Sequence, residues 1–394
     1  MRQGPTMTAW PKAIDTHHRP AGLAADRLAT LRLIRSRRVG PTTFHRLMGE
    51  HGCAERALLA LPELARAAGI ADYQPCPAAV AQAEIQAGRR AGARLLVWGD
   101  PDYPLALRDL ADAPPVLWVR GDLRVLDRLA VAVIGARNAS SLGLRMARGL
   151  AAGLAEAGAV VIAGLARGVD TIAHQAALNT GTVAVMAGGI DMIYPSENAG
   201  LAASICETGL LISEQPPGTE PVARHFPARN RIISGLARAV VVVEAAHRSG
   251  SLITARCALD QGREVMAVPG HPMDARAAGC NALIRDGALL VRNAADVLAA
   301  IGTATPPGHP PPRAASPMAP PRAAASSMTA RDSGGPADLE RRILASLGPS
   351  PTEENMLIRD LGVPAAALAP ALLNLELSGR VQRLPGGRLA LCLA

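Results

Sequence analysis

Three stretches of this sequence set cations or hydroxyls beside glycine or an aromatic ring, close to apolar runs. The first is Gly135-Ala136-Arg137-Asn138-Ala139-Ser140-Ser141, which follows the run Ala130 to Ile134 and opens a helical pattern at about Ser141. A strand that passes through glycine and small polar residues into a helix presents free backbone N–H groups at the positive end of the helix dipole. Such a turn suits a phosphate, and Arg137 adds a charge beside Gly135 and Ser140. The second stretch, Glu244 to Thr254, repeats the arrangement with Ser249, Gly250 and Ser251 in the turn and Arg248 at its lip. In the third, Phe226-Pro227-Ala228-Arg229-Asn230-Arg231, one of only two phenylalanines stands beside two arginines. Single-stranded nucleic acid is held by that pairing, with cations on the phosphates and a ring under a base. Each stretch taken alone also has a plain structural reading, as loop topology or as core.

Several titratable groups invite a catalytic reading. Asp170 and His174 are one helical turn apart, and Glu214 and Glu244 stand at strand ends. An Asp and a His at that spacing form a base and its orienter, or else a helix cap and a histidine packed on the sheet; the second reading is preferred. No nucleophile elbow, paired-histidine zinc motif or Walker loop is present. A dinucleotide site needs G-x-G-x-x-G after the first strand and an acidic residue after the second. The chain has Val161-Ile162-Ala163-Gly164 at the latter place and lacks the glycine motif at the former, which argues against a nicotinamide enzyme, and no cofactor is expected.

These residues need elements to position them. From about Arg94 to Ile301, short β-branched runs alternate with amphipathic stretches and glycine-containing turns. The runs are Leu95 to Trp98, Val116 to Val119, Ala130 to Ile134, Val160 to Ala163, Val183 to Met186, Leu210 to Ile212, Val240 to Val243, Val265 to Val268 and Leu289 to Val291. That alternation predicts a parallel sheet with helices on both faces. Residues 1–22 read as a loose terminus. Residues 23–93 read as a small helical domain with Leu28, Leu31, Leu33 and Ile34 at helical spacing and a break at Gly40-Pro41. A proline-rich linker is expected over 303–336. Residues 337–394 read as three helices, one capped from Thr352, followed by a hairpin of Val381 to Leu384 and Arg388 to Cys392, which is a winged-helix plan.

At 394 residues the chain has room for two or three domains, and no apolar run reaches the about 18 residues of a membrane helix. Nothing at the start of the sequence argues for export, so a cytoplasmic place is expected. The six cysteines are scattered singly, as expected of reduced structural thiols rather than a zinc site. Lys+Arg exceeds Asp+Glu by 41 to 33, and Lys12 is the only lysine. A basic balance of this kind favours a polyanionic partner.

Read in order, Tyr103-Pro104, Gly135-Ala136-Arg137, Gly164 to Asp170 with Ala173-His174, Tyr194-Pro195 with Asn198, Ser213-Glu214, Phe226 to Arg231, Ser249-Gly250-Ser251 with Thr254-Ala255, Val268-Pro269-Gly270 and Gly279-Cys280-Asn281 resemble the DNA-processing protein A (DprA, or Smf) family. The resemblance spans the central domain and suits both flanking ones. It implies an extended Rossmann-like sheet that binds single-stranded DNA, dimerises and loads the RecA recombinase in natural transformation. Carried over residue by residue, Arg137 matches the family's Gly-Ser-Arg phosphate motif, with Ala136 in place of the serine. Phe226, Arg229 and Arg231 fall in its F-P-x-R-N-R segment, Arg248 stands where lysine is common, and Ala163 replaces a frequent serine. The first domain resembles the sterile-alpha-motif or helix-hairpin-helix type, where Arg32, Arg35, Arg37 and Arg38 form either a DNA contact or a solvated basic face.

The expected architecture is therefore α/β, an extended Rossmann-like sheet over 94–302 flanked by the small helical domain and the winged helix. The expected DNA- and phosphate-binding residues are Gly135, Arg137, Ser140, Phe226, Arg229, Asn230, Arg231, Arg248, Ser249, Gly250 and Ser251, with no catalytic or metal residues. The expected partners are single-stranded DNA, RecA and a second copy of the chain. A groove-reading helix needs outward basic or amide residues, and Pro364 to Ser378 contains no Arg or Lys. A protein contact or autoregulation suits it better, with Arg380, Arg383 and Arg388 left for a wing contact. Two other functions fit the same pattern. One is a nucleotide or phosphoribosyl hydrolase of the lysine-decarboxylase-like type, although Val268-Pro269-Gly270-His271-Pro272 stops short of that family's P-G-G-x-G-T-x-x-E loop. The other is a structural DNA-bound adaptor working through the winged helix.

Overall fold

The computed structural model describes residues 23–302, 336–347, 351–384 and 388–391. The loose terminus expected at 1–22, the proline-rich segment up to residue 335, the Pro385-Gly386-Gly387 turn and Cys392 lie outside the described residues. The chain divides into two compact units, 1–83 and 84–394.

Helices α1 (Leu23–Arg35), α2 (Pro41–His51) and α3 (Ala54–Ala67) make up the first unit, and α4 (Ala78–Arg90) carries the chain across the division. Proline at the first position of α2 costs no hydrogen bond, because that N–H has no intrahelical partner. Leu31, Leu33, Phe44 and Leu47 are its buried centre. Arg32 donates from Nε to the Cys76 carbonyl at 2.9 Å, so one of the four arginines grouped there serves the interior of this unit.

The second unit is built on a nine-stranded sheet. Its elements are β1 (Arg94–Val97), α5 (Leu105–Arg108), β2 (Val116–Gly121), β3 (Ala130–Ile134), α6 (Ser141–Glu156), β4 (Val160–Ala163), α7 (Val169–Ala177) and β5 (Thr182–Met186). Then follow α8 (Ala199–Thr208), β6 (Leu210–Ser213), α9 (His225–Leu236), β7 (Ala239–Val242), α10 (Ser251–Asp260), β8 (Glu264–Ala267), α11 (Ala278–Arg285), β9 (Leu289–Leu290) and α12 (Ala294–Ala300). All nine runs expected as strands are strands, in the order β1-β2-β6-β5-β4-β3-β7-β8-β9. The sheet is not wholly parallel: β2 runs antiparallel to both β1 and β6. Hydropathy reports burial and not direction, and a buried antiparallel strand between β1 and β6 reads like a parallel one.

Alternate residues of each central strand enter opposite cores. Val131 and Val133 of β3 and Val241 of β7 join Leu150, Leu154 and Val169 from α6 and α7 on one face. Ala132, Ile134, Val240 and Val242 join Ile232, Leu236 and Ala255 from α9 and α10 on the other. Central parallel strands buried on both faces need this continuous apolar run. The chain leaves β3 toward β4 on one side and meets β7 on the other, so the carboxyl ends of β3 and β7 frame a topological switch point.

The last segment comprises α13 (Pro336–Ser346), β10 (Thr352–Glu353), α14 (Glu354–Leu361), α15 (Ala365–Leu377), β11 (Val381–Leu384) and β12 (Arg388–Leu391). Thr352 does not cap a helix as expected. It pairs with Leu389 in a third strand of the wing, and α14 begins only at Glu354. Leu368, Leu372 and Leu375 of α15 are core residues of this module. Those three leucines face the interior while Leu373 on the same helix stays 54% exposed, and Pro370 lies within it.

Candidate nucleic-acid interface

The carboxyl ends of β3, β4 and β5 and the first turn of α9 converge on a narrow cleft of about 50 Å³, lined by Arg137, Gly164, Ala166, Arg167, Tyr194 and Phe226 among others. Arg137 is exposed on the β3–α6 loop, with Cζ 4.9 Å from the centroid of the Phe226 ring. The rings of Tyr194 and Phe226 meet edge to face at 5.8 Å and 64°. Among the described residues Arg137 has no ion-pair partner, so its charge is free for an incoming anion. Two rings carrying an unneutralised guanidinium make a stacking platform with a phosphate anchor.

The loops that form this cleft are tied down. Val169 N–H donates to the Ala136 carbonyl at 3.2 Å, joining the β3–α6 and β4–α7 loops. Gly168 sits between them at φ +78°, and a Cβ there would come within 2.4 Å of the Ala136 oxygen, so no other residue fits. Leu165 is fully buried at φ +56°, an uncommon place for a branched side chain, and its carbonyl is held by Asn198 Nδ2 at 2.9 Å. Asp170 Oδ2 accepts from Gly164 N–H at 2.9 Å and from Ala166 N–H at 3.4 Å.

Arg229 and Asn230 are not at the surface. Arg229 is 6% exposed and donates from Nη1 to the carbonyls of Gly164 and Val185, at 2.6 and 2.5 Å, and from Nε to Asn230 Oδ1 at 3.1 Å. Burial pulls its guanidinium down to about 10, with Asp170 opposing, so it stays charged at neutral pH inside the fold. Burial pushes the Asp170 carboxyl up, opposed first by Arg229 and then by the two backbone N–H groups. Arg231 is neutralised by Glu214, whose two oxygens it meets at 2.6 Å, and it also donates to the Asp112 carbonyl. Of the F-P-A-R-N-R segment only Phe226 reaches the cleft; its arginines hold the sheet ends together.

Gly135 and Ser140 lie on the same loop as Arg137, but the expected phosphate seat at Ser140 is taken. Ser140 donates its N–H to Glu244 Oε1 at 3.0 Å and its hydroxyl to Oε2 at 2.5 Å. Arg248 and Gly250 are exposed, and the Ser249 and Ser251 hydroxyls bond each other at 2.7 Å. This segment follows β7, across β3 from the β4 and β5 loops, so it forms a separate basic turn. Arg167 and Tyr194 belong to the cleft and were not singled out for it by sequence. The sequence signal for Tyr194 was the rarity of aromatic residues, of which the chain has only eight; in the fold it is 53% exposed. Arg167 pairs with Glu197 at 2.5 Å.

His174 is fully buried under the sheet, where its Nδ1 meets Thr182 Oγ1 at 2.8 Å. Thr182 Oγ1 donates to the Val161 carbonyl, so His174 Nδ1 carries the proton and donates. Burial, reinforced by Arg229, pulls the ring's pKa down to about 3. In the unfolded chain the ring takes its proton near 6.5, so stability present above that pH is lost as pH falls toward 3, at about 1.4 kcal/mol per unit. Between pH 6.5 and 5 the wild type should therefore lose about 2 kcal/mol more stability in urea than His174→Asn. Equal losses would mean that the ring titrates normally.

Among the described residues no group of three or more His, Cys, Asp or Glu is placed to hold a metal, and no disulfide involves Cys53, Cys76, Cys206, Cys257 or Cys280. No single described helix is long and apolar enough to cross a membrane.

Comparison with known proteins matches residues 94–302 to a family described as DNA recombination-mediator protein A, 24–87 to a DprA-like N-terminal HHH domain and 310–387 to a DprA winged helix domain. DNA processing protein DprA of Streptococcus pneumoniae is 46% identical over 202 residues, 51% of this chain and 71% of that protein. Protein Smf of Escherichia coli is 40% identical over 290 residues, 72% of this chain and 74% of that protein. The X-ray structure of DprA from Streptococcus pneumoniae superposes with a TM-score of 0.59 at 34% identity, covering 72% of this chain and 98% of that one.

Proposed function

This chain belongs to the family of DNA recombination-mediator protein A, and from that premise we propose that it binds single-stranded DNA without regard to sequence and loads the RecA recombinase on strands taken up in natural transformation. The observation that carries the reading is the free Arg137 guanidinium stacked over Phe226 beside Tyr194. Bases of any kind present a π-face, so such a platform selects single strands over duplex and not one sequence over another. Gly135 shapes the Arg137 loop, and the Arg248-Ser249-Gly250-Ser251 turn supplies a second phosphate contact farther along the strand.

The protein acts in this reading as a binder and not as an enzyme. What supports this is that Asp170 and His174 are both buried and hydrogen-bonded within the fold. It works in the cytoplasm, where an incoming strand meets the recombinase, and as a homodimer. Strand β9 is an open sheet edge with Leu289 and Leu290 exposed at 47% and 43%, and such an edge invites a second copy. Sedimentation of the free chain as a monomer would remove that part of the proposal, and unaltered RecA filament formation in its presence would remove the loading role.

The binding reading is tested by electrophoretic mobility on a homopolymeric single strand against duplex of equal length, with single strand expected to bind more tightly. Arg137→Ala should weaken binding to all sequences alike and reduce the slope of log K against log salt by about 0.7. An unchanged slope in a folded variant places Arg137 outside the interface. Stronger binding to duplex favours the winged-helix adaptor.

A further inference from the structure

We propose that Glu244 determines ligand specificity at the switch point, its carboxylate filling the anion seat at the head of α6 so that the adjoining cavity is closed to nucleotide phosphates. A cavity of about 430 Å³ opens there, lined by Ser140, Gly143, Val243, Glu244, Val268 and His271 among others. It is several times larger than the Arg137 cleft and lies across β3 from it. On an open α/β sheet this is the place where ligands bind, with a phosphate at the helix N-terminus. Here the N-terminus is served from within the chain. Ser140 gives its N–H and hydroxyl to the two carboxylate oxygens, and its own hydroxyl oxygen accepts from Gly143 N–H at 3.0 Å. Glu244 is 7% exposed, and a Cβ on Gly143 would come within 2.5 Å of its Oε2, so carboxylate and helix turn are in close contact.

Both oxygens act as acceptors, which suits the ionised form. Burial pushes the Glu244 carboxyl up, while the Ser140 bonds and the charge of Arg276 hold it down. Arg276 itself is committed to Asp274 at 3.2 Å and to the carbonyls of Ala345 and Leu347 at the end of α13. A phosphate entering the cavity therefore meets a fixed negative charge in the position it needs. This inference stands on the cavity alone and survives failure of the single-strand reading.

The test is calorimetric titration of the full chain and of Glu244→Ala and Glu244→Gln with AMP and, separately, with adenosine. Removing the charge should tighten AMP binding by about tenfold or more in both variants, with adenosine unchanged. The isosteric Gln variant carries the test if the Ala variant does not fold. AMP bound equally by wild type and the Gln variant overturns the proposal. So does an equal gain for adenosine, because that would show that room and not charge was the obstacle.

Discussion

Replacement of Arg229 by alanine is expected to lower the stability of the chain by about 3 to 5 kcal/mol at neutral pH, the range for removing one member of a buried charged group. The side chain is buried, and its loss strands the Gly164 and Val185 carbonyls and leaves Asp170 without the guanidinium that offsets its burial. Lysine should not rescue it, because a single ammonium on a flexible stem cannot reproduce a planar fork between two carbonyls and an amide. Equilibrium unfolding in urea reads the effect. A loss below about 1 kcal/mol would mean that the group is solvated after all, and that Arg229 is available to bind a phosphate.

Phe226→Ala should weaken single-strand binding by about 1 to 3 kcal/mol, roughly five- to 150-fold, if one base stacks on the ring. The ring is half-buried in the first turn of α9, at the edge of the cleft and outside the two cores, so the variant should unfold within about 0.5 kcal/mol of the wild type. Phe226→Trp should retain binding, since it keeps a π-face under both the base and Arg137. Unchanged affinity in the folded alanine variant removes the ring from the interface, and gross unfolding makes it core.

The sheet was legible because each central strand is an unbroken β-branched run, and β7, with Ala239 followed by three valines, admits no other reading. The direction of β2 was not, since burial alone is recorded in its residues. At the cleft, Phe226 and Arg137 stood out by rarity and by loop chemistry. The arginines next to Phe226 misled for a physical reason. A row of cations looks like a surface until its neutralising partners are known, and Glu214 lies 17 residues away, just past the end of β6. The Ser140 turn misled in the same way, because the carboxylate that fills it comes from 104 residues downstream. Local sequence shows which groups can bind an anion and is silent on whether the fold has already supplied one.

The ties on the loops around Arg137 have a consequence for how fast a strand is captured and released. Ala136 is clasped by Val169, Ser140 by Glu244 and Leu165 by Asn198, so the platform stands assembled before any ligand arrives. Ordering entropy then falls on the flexible DNA and not on the protein, and no closing motion limits encounter. Association should be set by diffusion and by the field of the arginines, slowing as salt rises, while changes inside the cleft should be felt almost wholly in the residence time of the bound strand.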